Sequence, residues 1–157
     1  MEIKIRNANL NDLPILVDSM IKMAKETEDL DLQPSVLEPG IKNGLIDPLK
    51  ASYFIAEIDN HFAGTLMITK EWSDWRNAWV LWIQSVYTDI NYRNKGVYKA
   101  LYQYIKTMVD EQSEYCGIRL YVDKTNTSAQ KVYTKLGMNG DHYQFFEWME
   151  TNKENRN

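Results

Sequence analysis

The chain is poor in cysteine, glycine and proline, and it has no surplus of positive charge. Its single cysteine, Cys116, excludes an intramolecular disulfide framework. A reducing, cytoplasmic setting is therefore expected. Cys116 has no Cys or His neighbour in sequence, so no metal is expected, and its apolar run CGIRLYV marks it as a structural thiol in a strand. Lys and Arg total 18 against 22 Asp and Glu, a net charge of −4. That balance disfavours general nucleic-acid binding, which rests on clustered cations meeting phosphates. The start, MEIKIRNA, does not have the form of a signal peptide, and no apolar run approaches the roughly 20 residues of a membrane span. Neither nucleic acid nor membrane is expected as a partner. The 7 glycines and 4 prolines are scattered and form no linker or repeat. A single domain over residues 1–150 is expected, with a polar tail at 151–157.

Aromatic residues are plentiful, with 5 Trp and 10 Tyr, enough for a ring-lined pocket or simply for a core. Glu2–Arg6 (EIKIR) alternates as a half-buried strand does. Leu13, Leu16, Val17, Met20 and Ala24 recur at helical spacing to about Lys25. A weaker helix over Val36–Leu45 contains Pro39-Gly40, which argues against length. Ser52–Ile58 and Phe62–Thr69 form a hairpin around Asp59-Asn60-His61. A Trp-rich turn, EWSDWRN, leads to a strand over Ala78–Tyr87, and Val97, Leu101, Tyr104, Ile105 and Met108 then mark a helix face. A strand at Gly117–Val122, a short helix at Ser128–Leu136 capped by Gly137, and a last strand at Tyr143–Met149 complete the order. Such an order predicts an α/β (α+β) fold with a mixed, mainly antiparallel central sheet and about four helices.

Between the third long strand and its helix stands YRNKGVYKAL, residues 92–101. A glycine-containing basic turn at the start of a helix suits an anion, because the first helical amides lack internal partners and the dipole is positive there. Arg93, Lys95 and Lys99 add charge at the rim. Alone the signal is weak. The spacing is not that of a P-loop or of a three-glycine dinucleotide fingerprint.

The wider block QSVYTDINYRNKGVYKALYQYI resembles the central motif of the GNAT acetyltransferase superfamily, Arg/Gln-x-x-Gly-x-Gly/Ala opening a helix, except that Tyr98 replaces the final small residue. NTSAQKVYTKLGM is similar to the family's Asn-x-x-Ala-x-x-x-Tyr-x-x-x-Gly-Phe segment, with Met138 for Phe. The resemblance covers essentially the whole chain. It implies a mixed-sheet N-acetyltransferase that uses acetyl-CoA as co-substrate and an amine as acceptor. A homodimer stays open, since the family often forms dimers. Carried over by position, the backbone of Ser85, Val86 and Tyr87 pairs with the pantetheine arm. The loop residues Arg93, Asn94, Lys95, Gly96, Val97, Tyr98 and Lys99 hold the diphosphate. Asn126, Ser128 and Lys131 line the coenzyme, and Tyr133 is both coenzyme contact and catalytic acid, a phenol with a pKa of about 10 being protonated at neutral pH. The base is taken as Glu71, with Asp74 and Glu147 as alternatives; each carboxylate also reads as a solvated surface charge. Trp72, Trp75 and Trp82, with Trp79 nearby, and Gln84 are the candidate acceptor contacts, although sheet packing explains the rings equally. Tyr98 either packs along the helix flank or meets the coenzyme. The competing reading is a non-catalytic acyl-CoA-binding or sensor module.

Overall fold

A computed structural model of the chain describes residues 1–150; the expected polar tail at 151–157 lies outside them. The described chain divides into two compact units, residues 1–119 and 120–150.

The first unit is a five-stranded sheet in the order β1-β2-β3-β4-β5: β1 Ile3–Asn7, β2 Ser52–Ile58, β3 His61–Ser73, β4 Ala78–Thr88 and β5 Tyr115–Arg119. Its first three pairings are antiparallel and the β4–β5 pairing is parallel, which gives the mixed, mainly antiparallel sheet expected. Helices α1 (Leu13–Glu28) and α2 (Pro34–Ile46) fall between β1 and β2, and α3 (Val97–Glu111) between β4 and β5. The β2–β3 turn places both Asp59 and Asn60 at positive φ, 52° and 63°. That is the two-residue hairpin geometry for which Asn and Asp are best suited. Pro34 opens α2, and Pro39 lies within it. The ring sits in the second turn, where it removes only the bond to the Ser35 carbonyl, so the helix runs longer than Pro39-Gly40 suggests.

Strand alternation assigns the two sheet faces. Tyr53, Ile55 and Tyr87 pack with Leu16 and Met20 of α1 and Ile41 of α2 in one cluster, with Met67 against it. The opposite face meets α3, whose Leu101 and Ile105 are fully buried and whose Tyr104 ring stands 5.5 Å from that of Phe54. Tyr102, not the expected Tyr104, completes the buried stripe with Val97; Tyr104 lies at its margin, more than a third exposed.

Two sequence expectations need correction. Glu71 and Trp72 lie on β3, not in a turn, because β3 keeps pairing with β4 as far as Ser73↔Ala78. Tyr143–Met149 forms no strand: its alternation is that of a strand, but a ladder needs a second backbone, and none pairs with it among the described residues. In the second unit, α4 (Thr127–Lys135) begins with the Asn126 Oδ1 accepting from the Ala129 amide at 3.0 Å, and Gly137 follows it at φ 85°.

Two contacts organise the first unit. A Cβ added at Gly64 would lie 2.7 Å from the Tyr87 carbonyl oxygen and 2.8 Å from Val97 Cγ1, so β3, β4 and the start of α3 approach too closely for any side chain. Two strands away, Arg6 donates to both carboxylate oxygens of buried Asp12 (2.8 and 2.9 Å) and to Glu57 (2.7 Å), joining β1, the 3₁₀ turn before α1 and β2. Gly64→Ala should therefore cost about 1–3 kcal/mol by overpacking, seen as a lower urea midpoint; an unchanged midpoint would remove the close-approach argument. The Arg6 hydrogen bonds hold the Asp12 carboxyl below the usual carboxylate range; partial burial opposes them and the Asn9 amide adds to them. A depressed pKa contributes stability that is present above the ordinary value of about 3.9 and lost as pH falls through the folded-state value. Asp12→Asn should lose about 1–3 kcal/mol near neutrality, and its deficit against the wild type should shrink as pH drops into that acid range. Urea unfolding at stepped pH checks it, and a deficit independent of pH counts against it.

Candidate functional site

The β4 strand changes character halfway along. On the β3 side, Met67 pairs with Gln84 and Thr65 with Tyr87. Thr65 and Met67, two residues apart, share a face, so Gln84 and Tyr87, three apart, also share it. The extra residue is a β-bulge at Ser85–Val86, with Ser85 in the left-handed region at φ 51°. On the β5 side, pairing ends at Trp82↔Arg119. From Ile83 to Thr88 the backbone has no strand partner on that side among the described residues, and so presents a row of edge donors and acceptors.

The loop starts where this open edge ends. The Asp89 amide donates to the Ala63 carbonyl at 3.0 Å, and the Asp89 side chain caps the 3₁₀ turn Ile90–Tyr92 through the Asn91 amide at 2.9 Å. Asn94 and Gly96 both take left-handed φ values, 61° and 82°. Gly96 is the N-cap of α3 and brings no side chain to it. The first helical bond runs from the Ala100 amide to the Gly96 carbonyl at 2.9 Å. The amides of residues 97–99 lie ahead of that bond, at the positive end of a 15-residue helix. A Cβ at Gly96 would meet nothing within 4 Å; glycine is needed there for its φ and leaves an open approach to the backbone.

The loop cations divide their roles. Arg93 donates to Glu26 near the end of α1 at 2.5 Å and to the Thr88 carbonyl at 3.2 Å, so it closes the loop on its own start and ties it to α1. The Lys95 ammonium stands 5.2 Å from the Tyr92 ring centroid. Lys99 is exposed. Tyr98 is half-buried, with its ring 6.3 Å from that of Tyr102 and tilted by 39°, a position along the helix flank. The Tyr87 hydroxyl has its pKa pushed up, mainly by burial and then by Asp89.

A polar cluster occupies the α1/α2 face of the sheet. Glu71 forms an ion pair with Arg119 and accepts a hydrogen bond from Trp82 Nε1 at 3.2 Å. Gln84 Nε2 donates to Thr69 Oγ1 at 2.5 Å. Register brings Thr69 opposite Trp82 and Trp82 opposite Arg119, so β3, β4 and β5 each contribute. Trp72 belongs to the other face, edge-on to Trp79 at 5.0 Å, and Trp75 is 88% exposed in the β3–β4 turn. The tryptophans of the sequence motif therefore do not converge as one cage; Trp82 and Gln84 remain together. Asp74 is exposed in that same turn, its carboxylate accepting from the Trp75 amide at 2.9 Å. In the second unit Asn126 caps α4, Ser128 and Lys131 are exposed on that helix, and Tyr133 is half-buried on it.

Sequence reasoning missed Arg119, Gly64 and the bulge. Arg119 is the one cation in GIRLYV, and a lone charge in an apolar strand is the signal that marks it. Gly64 interrupts a strand pattern, which is a cue for close backbone approach. The bulge has no signal of its own, since Ser85 is an ordinary strand residue.

These features are those of one known family. The family model for the acetyltransferase (GNAT) family matches residues 17–138, and the chain belongs to that family. It is an enzyme of the acyltransferase class. A solved possible acetyltransferase from Clostridium difficile 630 is 39% identical, covering 96% of this chain and 99% of that one with a TM-score of 0.89. Two more distant structures share the fold. Ribosomal-protein-alanine N-acetyltransferase from Brucella melitensis biovar Abortus 2308 has 15% identity, TM-score 0.77 and coverage of 95% and 100%. An aminoglycoside acetyltransferase from an uncultured soil metagenomic sample, in complex with sisomicin, has 16% identity, TM-score 0.74 and coverage of 94% and 97%. No curated protein sequence matches the chain. Among the described residues no group of His, Cys, Asp or Glu is arranged to hold a metal ion, and no helix is long and apolar enough to cross a membrane.

Replacing Gly96 by Ala should cost about 1–2 kcal/mol of stability through the left-handed φ and should weaken binding of the family's co-substrate, acetyl-CoA, by disturbing the loop amides. Calorimetric titration checks this, and unchanged affinity would show that the loop backbone is not the anion site.

Proposed function

We propose that this protein transfers the acetyl group of acetyl-CoA to a primary amine of a small molecule or peptide by direct attack in a ternary complex. One observation carries the reading: the half-unpaired β4 runs directly into a loop whose left-handed turns lead to the uncapped start of α3. An extended arm with an anionic end fits that sequence of features, donors and acceptors along the strand and helix amides beyond it.

Acetyl-CoA supplies the acyl group as a thioester. The backbone of Ser85, Val86 and Tyr87 hydrogen-bonds the pantetheine arm. The amides of the loop from Asn94 to Lys99 bind the diphosphate, with Lys95 and Lys99 adding charge at its rim and Arg93 holding the loop in shape. By the same family correspondence, Asn126, Ser128 and Lys131 are coenzyme contacts. The acceptor amine must lose a proton before it can attack, since an ordinary amine with a pKa of about 8–10 is charged at neutral pH. Glu71, oriented by Trp82 and Arg119, takes that proton directly or through a water, and Gln84 orients the acceptor. The amine lone pair then forms the C–N bond as the C–S bond breaks. The Tyr133 hydroxyl gives its proton to the departing sulfur, which leaves as a thiol, and the second proton shed by the acylated nitrogen restores the phenol through water. Trp82 shares the face of Glu71 and Gln84 and is the ring nearest the acceptor in this reading, whereas Trp72 lies on the opposite face and Trp75 in the exposed β3–β4 turn.

Acetyl-CoA at 100 times its Kd should stabilise the folded protein by about 2.7 kcal/mol, read as a rise in melting temperature. Thiol release should appear with at least one member of an amine panel that includes an aminoglycoside, polyamines and an alanine-initiated peptide. No stabilisation at millimolar acetyl-CoA overturns the reading; stabilisation without turnover on any amine leaves a binding module instead. Tyr133→Phe and Glu71→Gln should each lower kcat by about 10²–10⁴-fold while acetyl-CoA affinity stays unchanged. Normal kcat in either variant removes that residue's assigned role.

A further inference from the structure

Arg119 is more than a base requires. One donor suffices to orient Glu71, and the Trp82 indole already donates to Glu71 Oε2 at 3.2 Å. Arg119 places a full positive charge on the other oxygen, Oε1. Both side chains are partly exposed, so the pair contributes little to stability. Its strand, Tyr115–Arg119, carries no other charge. The pair also stands at a particular place. Thr69, Trp82 and Arg119 lie side by side on β3, β4 and β5, and β4 and β5 part immediately afterwards. An arm bonded to Ser85–Tyr87, with its anionic end at the start of α3, points its other end along β4 toward Trp82. Trp82 lies about 10 Å from Ser85 at the rise of a strand. The thioester of acetyl-CoA is at that end of the arm.

We propose that Arg119 is a specificity-determining residue and that the acceptor is a free α-amino acid, held with its carboxylate on Arg119 and its ammonium on Glu71. This rests on the acetyl-transfer reading and names the acceptor of that same site. Charge matching carries it. In the pair, a carboxylate and a guanidinium are in direct contact. An α-amino acid has the complementary arrangement, an ammonium and a carboxylate on one carbon. Laid against the pair, each of its charges meets the opposite one, and neither Glu71 nor Arg119 loses a counter-ion. The planar fork of a guanidinium suits a carboxylate, and a carboxylate has lone pairs enough for an ammonium besides two other donors. A simple amine brings nothing for Arg119. A polyamine or an aminoglycoside brings further cations toward it, which is unfavourable.

The ammonium gives one proton to Glu71, and the nitrogen lone pair forms the C–N bond to the acetyl carbon. The C–S bond breaks, and the sulfur leaves as the thiol with the Tyr133 proton. The second nitrogen proton restores the phenol through water, and the Glu71 proton passes to solvent. The product, an N-acetyl amino acid, has lost its positive charge and kept its carboxylate. Glu71, ionised again, repels that carboxylate and recovers Arg119 as its own partner. Acetylation thus turns a matched ligand into a mismatched one and favours its release.

Thiol release by the full chain tests this with free amino acids, each beside its decarboxylated amine and its α-amide, and with an aminoglycoside, a polyamine and an alanine-initiated peptide. At least one amino acid should exceed its own amine and amide by about 10–100-fold in kcat/KM, the effect of one charge-assisted hydrogen bond. Arg119→Gln should raise KM for that amino acid and abolish its advantage, and Arg119→Lys should restore part of it. An Arg119 that only orients Glu71 would slow amino acid and amine alike; an unchanged ratio in Arg119→Gln therefore overturns the proposal. The wild-type ratios decide the matter if the variants do not fold. Amines or amides used as well as the amino acids overturn the proposal and leave acetyl transfer standing. No thiol release with any acceptor, although acetyl-CoA binds, overturns both.

Discussion

Everything in the first unit's loop depends on how closely β3, β4 and the Val97 side chain crowd at Gly64. With no Cβ at that position, β3 lies against the Tyr87 carbonyl and the Val97 side chain. The end of β4 and the beginning of α3 are thus brought to the same strand, and the ten-residue stretch between them, from Thr88 to Val97, must fold back within a short span. The loop's left-handed residues, Asn94 and Gly96, are a consequence of that closure. A larger residue at 64 would move both ends of the loop at once, which is why a buried glycine outside the loop governs the loop's geometry.

The bulge at Ser85–Val86 has a second organising effect. It turns Tyr87 onto the face where Gln84 already lies, so that the ring of Tyr87 enters the α1/α2 core while the preceding backbone remains at the sheet's open edge. One inserted residue serves the core and the open edge together. The Glu71–Arg119 pair acts one layer away, linking β3 to β5 across β4 at the point where β4 and β5 cease to pair. It fixes the place at which the two parallel strands separate, and with it the head of the opening.

Most of the architecture was legible in the sequence because element types follow from periodicity, and the periodic segments here are long. The helix of α1 and the hairpin at Asp59-Asn60 both announce themselves through residues that act locally: apolar spacing and two small polar residues that tolerate positive φ. The loop at 92–101 was legible for the same reason. What escaped depended on partners distant in sequence. The extent of β3 past Thr69 is set by pairing with β4, and polar, aromatic residues disguised it as a turn. The Arg119–Glu71 contact joins residues 48 apart and requires the register of three strands. The strand expected at Tyr143–Met149 is not formed, because alternation within a segment does not supply the second backbone that a ladder needs.

The open half of β4 has a consequence for solubility. An unpaired sheet edge is a template for any extended polypeptide, and proteins that expose one risk joining edge to edge. Here the template is interrupted by its own bulge: Ser85, at φ 51°, breaks the regular spacing of donors and acceptors after only a few residues. A second polypeptide strand arriving at this edge loses register there, whereas a short, flexible, non-peptide arm has no register to lose. The same kink that leaves the edge open therefore discriminates against the commonest wrong occupant of an edge, another protein.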